Sequence, residues 1–338
     1  MALATGFGLN DAVLPIGLVS GLVELAQQQQ LDIDKLLRGS RLFYDDLTEP
    51  QRCISPAQWL LLIERLCKLH AESDALALLY GQQQALNHHS LVTSLWSSAA
   101  NLAQALRLAH KSLPLLQPLV LLRVRQRSDE LILQLQPSFA LGAQQRFVFS
   151  AMLSALRTLL RQQLGASLQL HIDLPWAEPR WQPHFHAALG EQLRFDAPCC
   201  AIYLKRECLF MPFAEAAPLR RQQLFNQARA TLSQWPYRES LQSQLRRLCR
   251  RNLNSGVSLE QAASYLQCSP ATLKRRLKQD GISFQQLQDA VRREEVLLRL
   301  DIYGYSNRQL ADCLNISDMH NFRRAFKRWT GVVPSSFR

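Results

Sequence analysis

Residues 258–279, SLEQAASYLQCSPATLKRRLKQ, and residues 306–328, SNRQLADCLNISDMHNFRRAFKR, are two versions of one pattern. Each opens on S-x-x-Q, at Ser258 to Gln261 and at Ser306 to Gln309. A serine followed three residues later by glutamine satisfies orphan N–H groups at a helix start from both sides, as a capping box. Each first helix is expected to end after a leucine, Leu266 or Leu314, and a short turn leads to a second N-cap, Ser269 or Ser317. The second helices then carry Leu273, Arg275, Leu277 and Lys278 in one copy and Phe322, Arg324, Phe326 and Lys327 in the other. The copies are offset by 48 at the first helix and 49 at the second, so the later copy holds one extra residue near its turn.

At about 100° per residue, Phe322, Phe326 and Trp329 share one stripe, with Lys327, His320 and Arg324 on the far side. In the earlier copy Leu273 and Leu277 form the stripe, and Lys278, Ala271 and Arg275 take the same three outward positions. Lys274 and Arg323 flank these faces, whereas Arg276 falls at the buried edge and reads as structural. A single helical hairpin with a basic second helix is ordinary, and solvated cations explain any one arginine. The same outward positions in two tandem copies point instead to paired helix-turn-helix units. The candidate DNA contacts are Ser269, Ala271, Thr272, Lys274, Arg275 and Lys278 in the first, and Ser317, Met319, His320, Asn321, Arg323, Arg324 and Lys327 in the second. Arg275 and Arg324 carry the two-donor fork that matches guanine O6 and N7. His320 and Lys274 suit base acceptors or phosphate, and Ser and Thr at helix starts suit phosphate.

Between the copies Ser283 caps an amphipathic run, Phe284, Leu287, Val291 and Leu298. At ~1.5 Å per residue, residues 283–300 span about 27 Å. One DNA turn separates same-face major grooves by ~34–36 Å, so such a connector suits two readers held near one turn apart.

The charge agrees. The 338-residue chain has a formal net charge of +12, and residues 238–338 hold 18 Lys and Arg against 9 Asp and Glu. The remainder is close to balanced. A basic total alone fits nucleic acid, a membrane surface, an acidic ligand or no partner; its concentration in one region fits a polyanion-binding module.

The rest of the chain reads differently. Leu18, Leu22 and Leu25 share one helical face, and Ser55-Pro56 opens a helix through Trp59, Leu62, Ile63 and Leu66. A third helix carries Leu102, Leu106 and Leu113. Beyond Pro118 the period shortens: residues 119–127 and 131–136 flank Ser128-Asp129-Glu130 as a hairpin. A helix over about 144–164, a strand over 167–174 and an extended piece at Ala201 to Leu204 follow. The expected fold is therefore an α+β N-terminal domain, helices plus a small mainly antiparallel sheet, over 1–210. A linker follows at 211–238, punctuated by Pro212, Pro218 and Pro236. Residues 239–338 form an all-α domain of two helix-turn-helix subdomains joined by a long helix.

Other chemistries lack a pattern. The N-terminus, MALATGFGLNDAVLPIG, has no basic n-region, and no uncharged run suits a bilayer; the uncharged stretch 75–106 contains His88 and His89. A cytoplasmic location with reduced thiols and no membrane association is expected. The 8 cysteines form no C-x-x-C pair, so buried apolar thiols and no metal are expected. No cofactor loop or catalytic motif is present, and no enzyme activity is expected.

With these features the C-terminal region resembles the AraC family of bacterial transcription regulators. The pattern that carries it is R-A-F-K-R-W-x-G-x-x-P-x-x-x-R, from Arg324 to Arg338. Leu102-Ala-Gln-Ala-Leu-Arg107 and Gly190-x-x-x-Arg-Phe-Asp-Ala-Pro198 extend the likeness to the larger, non-cupin "arabinose-binding-like" domain of some members. The resemblance implies recognition helices near 270–279 and 318–328, double-stranded DNA and RNA polymerase as partners, and an N-terminal domain for effector sensing, dimerisation or both, with a small-molecule effector, a homodimer or both as its partners. The overall reading is a DNA-binding transcription regulator, expected to be an activator. The chain departs from the pattern at Asn315-Ile316, where Gly-Phe is usual, and at Val296, where Ala is usual. Asn is the next best tolerated residue in a left-handed turn. Trp96, His171, Trp176 and Trp181 are candidates to line a pocket or to fill an aromatic core. Two other classes compete. One is a DNA-targeted alkyl-transfer repair enzyme, for which Pro198-Cys199 is the only hint and the expected Pro-Cys-His-Arg setting is missing. The other is an effector-independent architectural DNA binder.

Overall fold

The structure, a computed structural model, describes residues 6–49, 51–87, 90–112, 115, 119–166, 168–179, 183–234 and 239–334. His88, His89, Leu113, Pro118, Trp181, Pro236 and Arg338, named above, lie outside the described residues. Contacts divide the chain into two compact units. The larger holds the described residues of 10–137 and 141–234; the smaller holds residues 6–9, Ser138–Ala140 and 239–334.

The larger unit runs in the order β1 (Leu14–Pro15), α1 (Gly17–Gln28), α2 (Ile33–Leu37), β2 (Cys53–Ile54), α3 (Pro56–Leu69), α4 (Ser73–Leu86), α5 (Leu91–Ser97) and α6 (Leu102–Ser112). Then come β3 (Val120–Arg127), β4 (Glu130–Pro137), α7 (Gln145–Leu164), β5 (His171–Asp173), α8 (Pro183–Leu189), β6 (Leu193–Arg194), β7 (Cys200–Lys205) and α9 (Pro218–Gln234). The capping reading holds at α3: Ser55 accepts the Gln58 N–H, the Gln58 side chain accepts the Ser55 N–H, and Pro56 sits in the first turn. Leu18, Leu22 and Leu25 are buried on α1. At the centre α4 packs along α7. Gly81 permits the approach, since a Cβ there would stand 2.0 Å from the Ala151 carbonyl oxygen.

The five-stranded sheet has the order β3-β4-β7-β5-β6, antiparallel except for the β5–β6 pair. Its hairpin turns at Ser128 and Asp129 alone, and Ser128 has φ +47°, the positive φ that two-residue hairpin turns require. The alternation of residues 167–174 becomes strand only at His171–Asp173, where β6 and β7 supply partners on both sides. Most of the expected 211–238 connection is α9, which packs against α5 and α6 within the larger unit.

One polar cluster ties the sheet edge together. Asp173 is fully buried and accepts hydrogen bonds from His171 Nε2 (2.7 Å), Arg194 Nε (2.9 Å) and Tyr203 Oη (2.8 Å), with Arg194 Nη2 on its second oxygen. These three donors come from β5, β6 and β7, so the Arg of the Gly190-to-Pro198 motif has a structural task. Burial pushes the Asp173 carboxyl up, but the three hydrogen bonds and the Arg194 charge outweigh it and hold the group below its ordinary value. Removing the carboxylate strands no buried charge, since Arg194 is 44% exposed, but it takes away the acceptor of Arg194 and of the buried Tyr203 hydroxyl, and a hydrogen bond to a charged group is worth about 1.5–3 kcal/mol. Asp173→Ala is therefore expected to destabilise the larger unit by about that amount in urea unfolding. A carboxylate with a lowered folded pKa stabilises above its unfolded value and stops doing so as pH falls through the folded one. The gap between wild type and variant should thus be full near neutrality and close only below about pH 4, the ordinary carboxylate value. A gap that widens in acid contradicts this account.

Candidate nucleic-acid interface

The smaller unit continues with α10 (Leu241–Arg251), α11 (Leu259–Tyr265), α12 (Pro270–Gln279), α13 (Phe284–Asp301), α14 (Asn307–Cys313) and α15 (Met319–Thr330). Ser258, Ser283 and Ser306 each cap a helix through a capping box with Gln261, Gln286 and Gln309. Ser269 caps α12 by accepting the Thr272 N–H at 3.1 Å, with Pro270 in the first turn. Between the helices of each pair, Gln267 and Asn315 have φ +53° and +54°. Asn315 thus adopts the left-handed turn without glycine.

Ser317 departs from its expected role. The N-cap of α15 is Asp318, whose carboxylate accepts the N–H groups of His320 (2.9 Å) and Asn321 (3.3 Å). The extra residue of the second copy moves the cap one position on, and a carboxylate serves better than a hydroxyl beside the positive helix end. Ser317 is exposed in the turn.

Two cores hold the helices. Leu241, Leu245, Ala263, Leu273, Leu277, Leu287 and Val291 belong to the first. Val296, Leu297, Leu300, Leu310, Phe322, Phe326 and Trp329 belong to the second. Ile316, standing where Phe is usual, is half-buried against the second core, and Val296 is fully within it. Burying these stripes fixes the opposite faces. On α12, Ala271, Lys274, Arg275 and Lys278 are exposed and Thr272 is half-buried; Ser269 is exposed at its start. On α15, His320, Asn321, Arg323, Arg324 and Lys327 are exposed and Met319 is half-buried. Arg276 turns inward and donates to the Gly6 carbonyl at 2.7 Å, the structural part its position suggests.

The charges sort by face. Glu294 and Glu295 on α13 take Arg246 (2.6 Å) and Arg250 (2.8 Å) of α10, and Glu295 also takes Arg299 (2.7 Å). Asp289 accepts the Trp329 indole N–H at 3.0 Å and Arg328 at 3.2 Å, while Arg292 and Arg328 lie over the Trp329 ring. Among the described residues, none of Lys274, Arg275, Lys278, Arg323, Arg324 and Lys327 is ion-paired. Glu294, Glu295 and Asp289 are spent between helices, while these six cations stay exposed on α12 and α15. Sequence reasoning missed the Glu294, Glu295 and Asp289 tethers, because their partners lie about 40 or more residues away in the chain.

Residues 31–213 match the family model described as the N-terminal arabinose-binding domain of AraC transcription regulators, and residues 262–338 match a helix-turn-helix domain model. The chain belongs to the AraC family of transcription regulators. It is 27% identical over 327 residues to the ornithine utilization regulator of Pseudomonas aeruginosa, covering 96% of each chain. It is 28% identical over 156 residues to the regulator VirS of Mycobacterium tuberculosis, covering 46% of this chain and 45% of VirS. A crystal structure of the transcriptional regulator CdpR from Pseudomonas aeruginosa aligns over 94% of this chain and 96% of its own, with a TM-score of 0.46 and 18% identity.

In this AraC-family chain the other expected sites fall as follows. Trp96 is buried beside Phe213, Trp176 lies under the Arg146 guanidinium at 5.5 Å, and His171 bonds Asp173. Cys200, Cys208 and Cys249 are buried, and burial pushes the Cys200 thiol well up. Cys313 is exposed on α14, contrary to the expectation of buried thiols, because its side faces away from Leu310 and Ala311. Cys53, Cys67, Cys199 and Cys268 are half-buried, also short of the expected burial. No cluster of three His, Cys, Asp or Glu among the described residues is placed to hold a metal, and no described helix is long and apolar enough to cross a membrane.

The cap assignment is testable. Asp318→Ala should cost about 1 kcal/mol of stability in the smaller unit, and Ser317→Ala a few tenths or less. Urea unfolding followed by helical signal reads both. Equal losses, or a larger loss at Ser317, contradict the assignment.

Proposed function

We propose that this regulator binds one DNA duplex through α12 and α15 in adjacent major grooves, with α13 as the spacer. It acts as an activator working with RNA polymerase, and the larger unit controls it through a small-molecule effector or through dimerisation. The observation that carries the reading is the match between two outward faces: Ala271, Arg275 and Lys278 on α12 stand where His320, Arg324 and Lys327 stand on α15. Two such faces on separate cores are what a reader of two half-sites needs. Arg275 and Arg324 take guanine edges, and His320 and Asn321 take neighbouring base edges or phosphate. Lys274, Lys278, Arg323 and Lys327 neutralise phosphates, Ala271 and Met319 offer apolar contact to the groove, and Ser269, Thr272 and Ser317 serve phosphates at the helix starts.

The alkyl-transfer alternative has less support, since the relatives are named as regulators. The larger unit favours sensing over a purely architectural role, because the arabinose-binding family model covers it. The relative named for ornithine utilization makes cationic amino acids the first effector probes. Ligand-dependent thermal stabilisation tests them.

The DNA reading is tested by titrating full-length protein against single-base variants of a duplex selected from random DNA. Arg324→Ala should lose about 1–3 kcal/mol, mostly at one base position, and Arg275→Ala the same at a position about one helical turn away. Uniform weakening at every position would make the arginine a phosphate contact and overturn its assignment.

A further inference from the structure

Residues 6–9, at the start of the described chain, and Ser138–Ala140, between β4 and α7, group with the smaller unit although the elements they join belong to the larger. The two segments form a clip against α10 and α12. Phe7 is buried, stacks on Phe139 at 6.1 Å, and its carbonyl accepts the Leu241 N–H at 3.0 Å. Ser240 Oγ donates to the Ser138 carbonyl at 2.6 Å, and the Ala140 N–H donates to Gln242 Oε1 at 2.8 Å. The first segment of the clip reaches α12 directly, and the second reaches it through Gln242 of α10. Arg276 Nη2 donates to the Gly6 carbonyl at 2.7 Å; the Leu9 N–H donates to Asp280 Oδ1 at 2.8 Å; Gln242 Nε2 donates to Asp280 Oδ2 at 3.4 Å.

Asp280 is an unusual choice for its place. It is the C-cap of α12 and only 7% exposed. A carboxylate there meets the negative end of the helix dipole, and burial strips its water. A local rule broken in this way marks a position kept for another task. The fit around it is close: a Cβ on Gly8 would stand 2.8 Å from Asp280 Oδ1, and one on Gly6, at φ +70°, would stand 2.4 Å from the Glu239 carbonyl oxygen.

We propose that Asp280 is a positioning residue for DNA recognition, and that the clip is how the N-terminal half of the chain sets the presentation of the first recognition helix. The proposal rests on α12 being a groove reader. The clip's segments continue directly into residue 10, β4 and α7, so a shift at those ends is delivered to Gln242 and Asp280. The second helix, α15, is seated otherwise, through Trp329 on Asp289 of α13. The two recognition helices are therefore under separate control, and the clip acts on one alone.

Hydroxyl-radical footprinting of full-length protein tests this, on a duplex selected by wild type from random DNA. Arg275→Ala and Arg324→Ala assign the two protected patches to α12 and α15. Gly8→Ala crowds the latch from the arm, outside every helix, and Asp280→Ala removes its acceptor. Both should raise the concentration for half-protection of the α12 patch about tenfold or more, and of the α15 patch less than about threefold. Asp280→Asn keeps an acceptor for Leu9 and should fall between. Equal loss at both patches, or no loss at either, overturns the clip. A wild type that protects one patch only overturns the two-groove reading itself, and the clip with it.

Discussion

The smaller unit depends on the seating of α13. This 18-residue helix gives Leu287 and Val291 to the first core and Val296, Leu297 and Leu300 to the second. Both cores draw on it, and α15 is seated on it directly, with the Trp329 indole on Asp289. Glu294 and Glu295 fasten it to α10 through Arg246 and Arg250. Glu295 is only 4% exposed, and a carboxylate so placed is tolerated only with its acceptor sites filled by good partners, which Arg250 and Arg299 provide. The pairing thus fixes one geometry more than it adds stability.

The same arrangement explains where the basic surplus goes. The +12 of the chain carries little meaning as a total. Within the smaller unit, Glu294, Glu295 and Asp289 are turned toward arginines that hold helices together, and Glu239 takes Arg247. Among the described residues, six of the cations left without an acidic partner are exposed on α12 and α15. Field and shape coincide on those two faces, which is the condition for a groove reader.

Much of this was legible in the sequence because it is local. Capping boxes at Ser258, Ser283 and Ser306, the stripe of Phe322, Phe326 and Trp329, and the hairpin around Ser128 depend on neighbours within a few residues. The cap of α15 was misplaced by one residue because a serine and an aspartate stand side by side, and only the turn geometry chooses between them. The short β5 was overextended because alternation says nothing of how many partner positions exist. Arg194 carries part of a recognisable motif, yet its partner Asp173 emerges only when β5, β6 and β7 come together. The clip had no local signal: Leu9 and Asp280 are 271 positions apart.

The central claim is that one chain holds two groove readers at a fixed separation. Changing the spacing of the DNA tests it most directly. In a duplex selected by the full-length protein, about five base pairs inserted between the two protected patches rotate one patch by half a turn, since one turn is ~10–10.5 base pairs. The account predicts loss of simultaneous protection and a fall to the affinity of a single half-site. Unchanged affinity with both patches still protected would contradict it.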